Sequence, residues 1–556
     1  MKYIHGLHFN NIRGDIYGGI TAAVVALPLA LAFGVSSGAG PVAGVYGAIF
    51  VGFFAALFGG TPSQVSGPTG PMTVVMAVIF TQYTSMFPDD PAHGAALAFT
   101  VVVMGGLFQI LFGILKIGKY ISLVPHPVTS GFMSGIGVII ILLQLIPFFG
   151  HEQINKPLLA AQAIPGVATS PVADALILGL ITLAIVYFLP NKINKLLPSP
   201  LFSLIVGTVL AVLFFQQAPI LGEIKTGLPN PQIPVIPFNQ EIIISMVKSA
   251  LILAFLGTID SLLTSLVADN ITRTHHESDR ELIGQGIGNT IAGLFGGLPG
   301  AGATMRTVIN VRAGGQTPIS GALHALILLA IVLGAGGFAK YIPDAVLAGI
   351  LIKVGTDIID WNYLKRIKSA PKAGVVIMFV VFFVTVFVDL ISAVGLGMVM
   401  ASFLFLKRMS DLQISSITVL TEPSEETALT QQEAAILNEA KGRILLYHME
   451  GPLSFGAAKG MVRRLAKFDD YDALVMDMSD VPAIDFTSCR AIDDMVSDAL
   501  LINRSVFLVG LRPEVKLFLQ RQGVIQKLDP SHICKIRREA LNIAATSLHL
   551  DPELCM

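Results

Sequence analysis

The sequence predicts a polytopic α-helical membrane protein of about fourteen spans, followed by a small α/β domain. Three observations carry that reading. Hydrophobic residues make up 53% of the 556 and charged residues only 13%, about half the roughly 25% charge usual for a soluble chain; the mean hydropathy is +0.73. Apolar runs long enough to cross a bilayer as helices follow one another up to Arg408, after which the chain turns mixed and charged. Two glycine-rich polar stretches interrupt the oily part, one in each half.

The same composition excludes other classes. A net charge of -1 offers no electrostatic footprint for nucleic acid. Cys489, Cys534 and Cys555 all fall late in the chain, which leaves neither a disulfide framework nor zinc-ligand spacing. The start "MKYIHGLHFNNIRGDIYGG" is polar and runs straight into a membrane-length span, so no cleavable signal peptide is expected.

The spans centre near residues 26, 50, 78, 104, 135, 180, 208, 255, 288, 308, 327, 348, 381 and 399. Those near 78 and 308 look short and glycine-interrupted, and "LIGQGIGNTIAGLFGG" near 288 is weakly apolar. An even count puts both termini on one side. Loops on that side carry Lys116, Lys119, Lys192, Arg273, Arg280, Arg312 and Lys365, whereas the opposite loops carry Lys156, Lys225 and Lys340 with the acids Asp89 and Asp90. The positive-inside rule then makes the termini cytoplasmic, with a bacterial inner membrane as the expected location. Pairs such as Gly131/Gly135 and Gly284/Gly288 read as close helix packing.

The interrupted stretches are "GGTPSQVSGPTGPMTVV", from Gly59, and "GLPGAGATMRTVINVRAGGQTP", from Gly297. Irregular backbone at membrane depth is tolerated where it is buried in protein or lines a wet cavity. Each stretch leads into a half-length helix, and such a pair in opposite halves points to an inverted-repeat transporter. A helix amino-terminus exposes unpaired N–H groups and about half a positive charge, so two of them facing one cavity favour an anion. Thr69 and Thr304 stand where each half-helix begins, and Gly300 and Gly302 let backbone approach closely. Two re-entrant turns without a ligand are the alternative. A dinucleotide loop is not supported, because "GAGAT" follows no strand.

Asp260 lies inside the apolar "LAFLGTIDSLLTSLVAD". An acid at that depth is a functional hypothesis, and Thr264 follows one turn later on the same face. Together with carbonyls of Gly302 and Thr304 they would make an oxygen-lined pocket for sodium; a proton carrier and a structural aspartate are the other readings. Arg306 is left open between contacting the anion, turning to water and pairing with an acid. Asp357 and Asp360, beside Trp361, read as membrane-interface residues, and "RTHHESDRE" as a solvated turn.

Past the membrane region, 409–440 reads as a polar, part-helical linker, 441–547 as an α/β domain and 548–556 as a tail. "RILLYHME", "ALVMDM" and "VFLVG" are strand-like; "GAAKGMVRRLAKF", "SCRAIDDMVSDALLINR" and "PEVKLFLQRQG" are helix-like. No catalytic constellation is visible there, so no enzyme is expected.

These residues together resemble the SulP family of anion transporters over nearly the whole chain. The resemblance rests on "NIRGDIYGGITAAVVALPLALAFGVSSGAG", "GFFAALFGGTPSQVSGPTGPMTVVM", "TIDSLLTSLVADNITRT", "ELIGQGIGN", "GAGATM" and "VGTDIIDW". It implies a seven-plus-seven inverted repeat. Spans one to four and eight to eleven would form a core that slides against a gate built from the others, in a homodimer surrounded by lipid. The strings are most similar to the sodium-dependent bicarbonate branch. By that resemblance Thr69 and Ala303 contact the anion, Phe33 lies near it, and Asp260, Thr264, Gly302 and Thr304 hold sodium.

Two positions bear on the substrate. Arg306 stands where the cyanobacterial bicarbonate transporters are expected to carry glycine. A proton-coupled or exchange-type carrier of sulfate or dicarboxylate using Arg306 is therefore the rival reading. Against proton coupling, Leu29 stands near where proton-linked members can place a glutamate. "LVMDMSDVPAIDFTSCRAI" resembles a STAS domain, a site for a cytoplasmic protein partner, with Thr487 at the position of a phosphorylatable hydroxyl. Helix capping by Asp485 or Thr487 is the alternative there. A membrane scaffold or sensor built on that domain is the rival from another class.

Overall fold

A helix falls at each of the fourteen predicted centres. They are α1 (Ile12–Ser36), α2 (Pro41–Phe58), α3 (Gly70–Met86), α4 (Pro91–Ile114), α5 (His126–Phe148), α6 (Ala173–Phe188) and α7 (Ser199–Phe214). The second set is α8 (Gln240–Thr272), α9 (Ser278–Leu294), α10 (Thr304–Arg312), α11 (Pro318–Ala335), α12 (Asp344–Ile358), α13 (Lys372–Phe387) and α14 (Leu390–Ser415). The computed structural model describes residues 4–550 apart from 155, 222–230, 232–233, 236–238, 336–339, 389 and 424–428. Lys225, Cys555 and positions 551–556 of the expected tail lie outside the described residues. The chain divides into two units, Met1–Val399 and Met400–Met556.

Local chemistry sets the helix starts. Proline opens the first turn of α2, α3, α4, α5 and α7, where its missing N–H costs nothing. Asn239 caps α8 by accepting from the backbone N–H of Glu241 and Ile242. By length and apolarity alone, six helices qualify as membrane spans among the described residues, and the helix Pro157–Thr169 with α6, bent by 111°, makes up to a seventh. The small-residue pairs do serve contact. A Cβ on Gly131 would lie 2.3 Å from the Met378 carbonyl of α13, and one on Gly284 would lie 2.3 Å from the Gly59 nitrogen.

The spans pack as two groups. α1–α4 pack with α8–α11, chiefly through α9 against α4 and α2 and through α11 against α1 and α2. α5 packs with α12 and α13, and α6 with α7 and α12. The short strands β1 (Ser66–Gly67) and β2 (Ala301–Gly302) join the two interrupted stretches as an antiparallel pair, Ser66 opposite Gly302 and Gly67 opposite Ala301. That pairing gives partners to backbone polar groups that lie outside any helix.

The second unit holds a five-stranded sheet in sequence order. β3 (Thr418–Leu420) runs antiparallel to β4 (Ile444–Glu450); β5 (Ala473–Asp480), β6 (Ser505–Val509) and β7 (Ile533–Cys534) continue it in parallel. Alternation along the strands makes two cores. Leu445, Tyr447, Leu474 and Met476 face the helices α16 (Phe455–Leu465), α17 (Phe486–Leu501) and α18 (Pro513–Arg521). Leu446, Val475 and Phe507 face α15 (Gln431–Ala440) and α19 (Arg537–Ser547).

The stretch read as a linker, 409–440, is therefore built into the fold. α14 continues to Ser415, β3 supplies an edge strand, and α15 is opened by a capping box between Thr430 and Glu433. β3 is three residues long and only partly buried, too short to display a strand period.

Candidate functional site

The site is built where the two interrupted stretches meet. Glycine and proline keep 59–69 and 297–303 out of helix, and β1 and β2 align them. Gly67 has φ +149°, and a Cβ there would sit 2.8 Å from Arg306 Nη1, so only glycine suits this elbow. α3 then starts at Gly70 after the N-cap Thr69, and α10 at Thr304 after the N-cap Ala303. Neither N-cap side chain bonds to its own helix. α10 has nine residues, whereas α3 has 17, so α3 is longer than a half-length helix.

The Thr69 hydroxyl turns to α8 instead and donates to Asp260 Oδ2 at 2.7 Å. One turn on, the Thr264 hydroxyl donates to the Gly302 carbonyl at 2.9 Å and shares a 2.7 Å hydrogen bond with Thr304 Oγ1. Ser261 Oγ accepts from the Gly302 N–H at 3.1 Å. The helix bearing the buried acid thus holds the amino-terminal end of each interrupted helix.

A cavity of about 550 Å³ opens there, within the usual range for a small-molecule site. Leu29 and Phe33 of α1, Thr69, Asp260 and the run from Gly302 to Arg306 line it on one side. Met133 of α5 and Val354, Asp357 and Ile358 of α12 line the other. It therefore lies between the two helix groups. Arg306 is buried, donates from Nη2 to the Pro68 carbonyl at 2.7 Å and still lines the cavity. It does not turn to bulk water, and among the described residues it makes no direct ion pair with Asp260.

Of the sequence-predicted residues, Phe33, Thr69, Asp260, Gly302, Ala303, Thr304 and Arg306 line this cavity, and Thr264 stands behind it, bonded to Gly302 and Thr304. Asp357, read as an interface residue, is exposed, also lines the cavity and pairs with Lys353 one turn earlier on α12.

Sequence reasoning missed the support beneath the site. Glu281 is buried and accepts four hydrogen bonds: from the Gly60 and Thr61 N–H groups, both 2.9 Å, and from Gln64 and Gln285 Nε2, both 2.7 Å. Gln285 also donates to Ser66 Oγ at 2.6 Å. Asn289 accepts from the Gly300 N–H at 2.7 Å and donates to its carbonyl at 2.9 Å. The three stand four apart on one face of α9, and that spacing in "ELIGQGIGN" was the available signal. Asp15 does the same for the return after α10, accepting from the Gln316 and Thr317 N–H groups at 2.8 and 2.9 Å.

In the second unit, Asp485 caps α17 by accepting from the Ser488 N–H at 2.8 Å and also accepts from the Phe455 N–H at 2.6 Å. Thr487 is exposed on the first turn. Nearby, His448 Nδ1 meets Asp477 Oδ2 at 3.1 Å, and Arg537 bridges Asp477 and Glu433. Its hydrogen bond to the Asp477 carboxylate raises the His448 imidazole above its ordinary value against the opposing effect of burial. Burial pushes the Asp477 carboxyl up, but hydrogen bonds from His448 and Ser479 outweigh it and hold the group low.

Residues 12–381 match the Sulfate permease family, and residues 435–540 match the STAS domain. The chain belongs to the sulfate permease family. Among its sulfate permease relatives, the bicarbonate transporter BicA of Synechocystis sp. is 45% identical over 551 residues, covering 99% of this chain and 97% of that protein. The solved transmembrane domain of a cyanobacterium bicarbonate transporter BicA is 50% identical, with a TM-score of 0.65 over 71% of this chain and 100% of that one. The murine Solute Carrier 26 family member A9 anion transporter, in the inward-facing state, superposes with a TM-score of 0.81 over 97% of this chain and 92% of that chain. At 20% identity that likeness shows the fold alone: a helical sulfate permease membrane region followed by a STAS domain.

Proposed function

We propose that this chain is a secondary active anion transporter that takes up bicarbonate together with sodium. It would work by alternating access in a bacterial inner membrane, with both termini cytoplasmic. The observation that carries the reading is the direction of Thr69. Its hydroxyl bonds to Asp260 rather than capping α3, and α10 likewise starts without a side-chain cap, so both helix starts face one cavity uncapped by side chains.

The charges support an anion. Two helix ends supply about half a positive charge each, Arg306 offsets Asp260, and Arg312 lines the cavity beside an Asp357 already paired with Lys353, so the walls carry net positive charge for the anion to neutralise. Asp260, Thr264, the Gly302 carbonyl and Thr304 form an all-oxygen donor set with one negative charge, suited to a hard monovalent cation. Sodium, as co-substrate beside Asp260, raises the positive field on the anion held by Thr69, Ala303, Thr304 and Arg306 near Phe33. Each ligand then strengthens the other by the same factor.

Uptake of labelled bicarbonate into proteoliposomes tests this. Uptake is expected to rise with an inward sodium gradient, and Asp260→Asn to abolish that rise. Wild-type uptake indifferent to sodium refutes the coupling, and a sodium response that survives in Asp260→Asn removes this carboxylate from the ion site.

Arg306 favours a second reading, since a full positive charge lines the cavity: proton-coupled or exchange-type transport of sulfate or dicarboxylate. Arg306→Gly separates the two. Loss of sulfate flux supports the second reading, and intact bicarbonate uptake supports the first. The transporter would act as a homodimer, with the STAS domain engaging a cytoplasmic protein and Thr487 as its regulatory phosphosite. Substrate-dependent flux of any kind excludes the scaffold or sensor alternative.

A further inference from the structure

A second hollow, also of about 550 Å³, lies between the helix groups away from the anion cavity. Leu251, Phe255 and Ile259 of α8, Phe112 of α4 and Phe132 of α5 line it, and Gly395 and Met398 of α14 form a further wall. Leu251 is 40% exposed and Phe255 39%, so the hollow is a groove open to the surroundings of the bundle. Among its described lining residues Lys248 is the one charged group.

Gly395 is unlike the packed glycines of this bundle. A Cβ there would meet nothing within 4 Å, whereas Gly131 and Gly284 abut neighbouring backbone. Glycine is a poorer helix former than alanine, yet no described protein atom uses the space it leaves.

The dimensions match one leaflet. From Lys248 to Ile259 the groove follows α8 for about 16 Å at 1.5 Å per residue, close to half the roughly 30 Å hydrocarbon thickness. α8 has 33 residues, about 50 Å, and so overshoots that thickness by about 10 Å at each end when centred. Lys248, about 12 Å from the start of the helix, then stands at the boundary between headgroups and hydrocarbon. An ammonium at that depth needs an anionic partner or water, and Lys248 makes no ion pair among the described residues. A second copy of this chain laid over the groove would seal that charge against apolar surface, whereas a lipid phosphate would neutralise it. We propose that the groove holds an acyl chain of an anionic phospholipid whose headgroup phosphate pairs with Lys248.

The test is native mass spectrometry on the delipidated full-length protein, titrated with dioleoyl-phosphatidylglycerol or dioleoyl-phosphatidylcholine. The wild type is expected to retain the anionic phosphatidylglycerol at least tenfold better than the zwitterionic phosphatidylcholine. Lys248→Ala should erase that preference, Lys248→Arg should keep it, and Gly395→Leu should weaken retention of both lipids by filling the groove. Thermal unfolding close to wild type shows that each variant is folded; for one that is not, Lys248→Gln or Gly395→Ala is read instead. Equal retention of the two lipids by the wild type, or an undiminished preference in Lys248→Ala, overturns the proposal. So does a Gly395→Leu protein whose lipid retention is unchanged while its monomer–dimer distribution shifts, which assigns the groove to a second copy.

Discussion

Glu281→Gln is the sharpest probe of how the site is held. The carboxylate offers two oxygens, one accepting from the Gly60 and Thr61 N–H groups and the other from the Gln64 and Gln285 side chains. Glutamine keeps one oxygen and replaces the other with an NH2, which faces a pair of donors. Three of the four bonds tie the 59–67 loop to α9, the fourth lying within α9 itself, so at least one loop bond to a charged acceptor is lost, at about 1.5–3 kcal/mol, and loop opening should become easier by about 1.5 kcal/mol or more. At about 1.4 kcal/mol per decade, amide exchange of Gly60 and Thr61 should accelerate by about tenfold or more, read by hydrogen–deuterium exchange on the full-length protein. Transport should fall with it, because this loop leads through β1 to Thr69. Exchange and flux that both match wild type refute the reasoning that α9 positions the first helix end.

Two further outcomes are expected. Gly67→Ala should abolish transport without removing any polar group, because its Cβ meets Arg306 and the backbone is at φ +149°; flux above half of wild type contradicts the elbow geometry. In the STAS domain the raised His448 group contributes stability that is complete below its ordinary pKa near 6.5 and is lost as pH climbs through the raised value. Asp477, held low, loses its contribution only in acid, so exchange protection of β4 and β5, corrected for intrinsic rates, should decline from pH 6 to 8.5. His448→Gln should flatten that slope, and an unchanged slope assigns it elsewhere.

Much of the site is legible locally. Gly–Pro stretches inside oily sequence announce broken helices because those residues cannot continue one, and Asp260 stands out because a carboxylate is costly among apolar neighbours. Thr69 and Thr304 follow from where the helices restart. The support on α9 is different. Glu281, Gln285 and Asn289 display their shared face by spacing, but the groups that Glu281 and Gln285 hold at residues 60–66 belong to the other half of the chain, far away in sequence. Asp357 is a related case: its neighbour Trp361 points to an interface, and only the packing of α12 against the core group adds its place in the cavity wall. β3 was hidden because three residues carry too little pattern.

The sequence by itself determined that this chain lives in lipid, where its helices break and which acid is stranded among apolar residues, since these depend on composition and on neighbours within a turn or two. The tertiary structure alone decided that the two breaks pair as β1 and β2, that Thr69 bonds to Asp260 rather than to its own helix, and that Arg306 folds back onto Pro68. Each joins residues about 190 or more positions apart, and no local rule of spacing can specify which donor meets which acceptor across that distance.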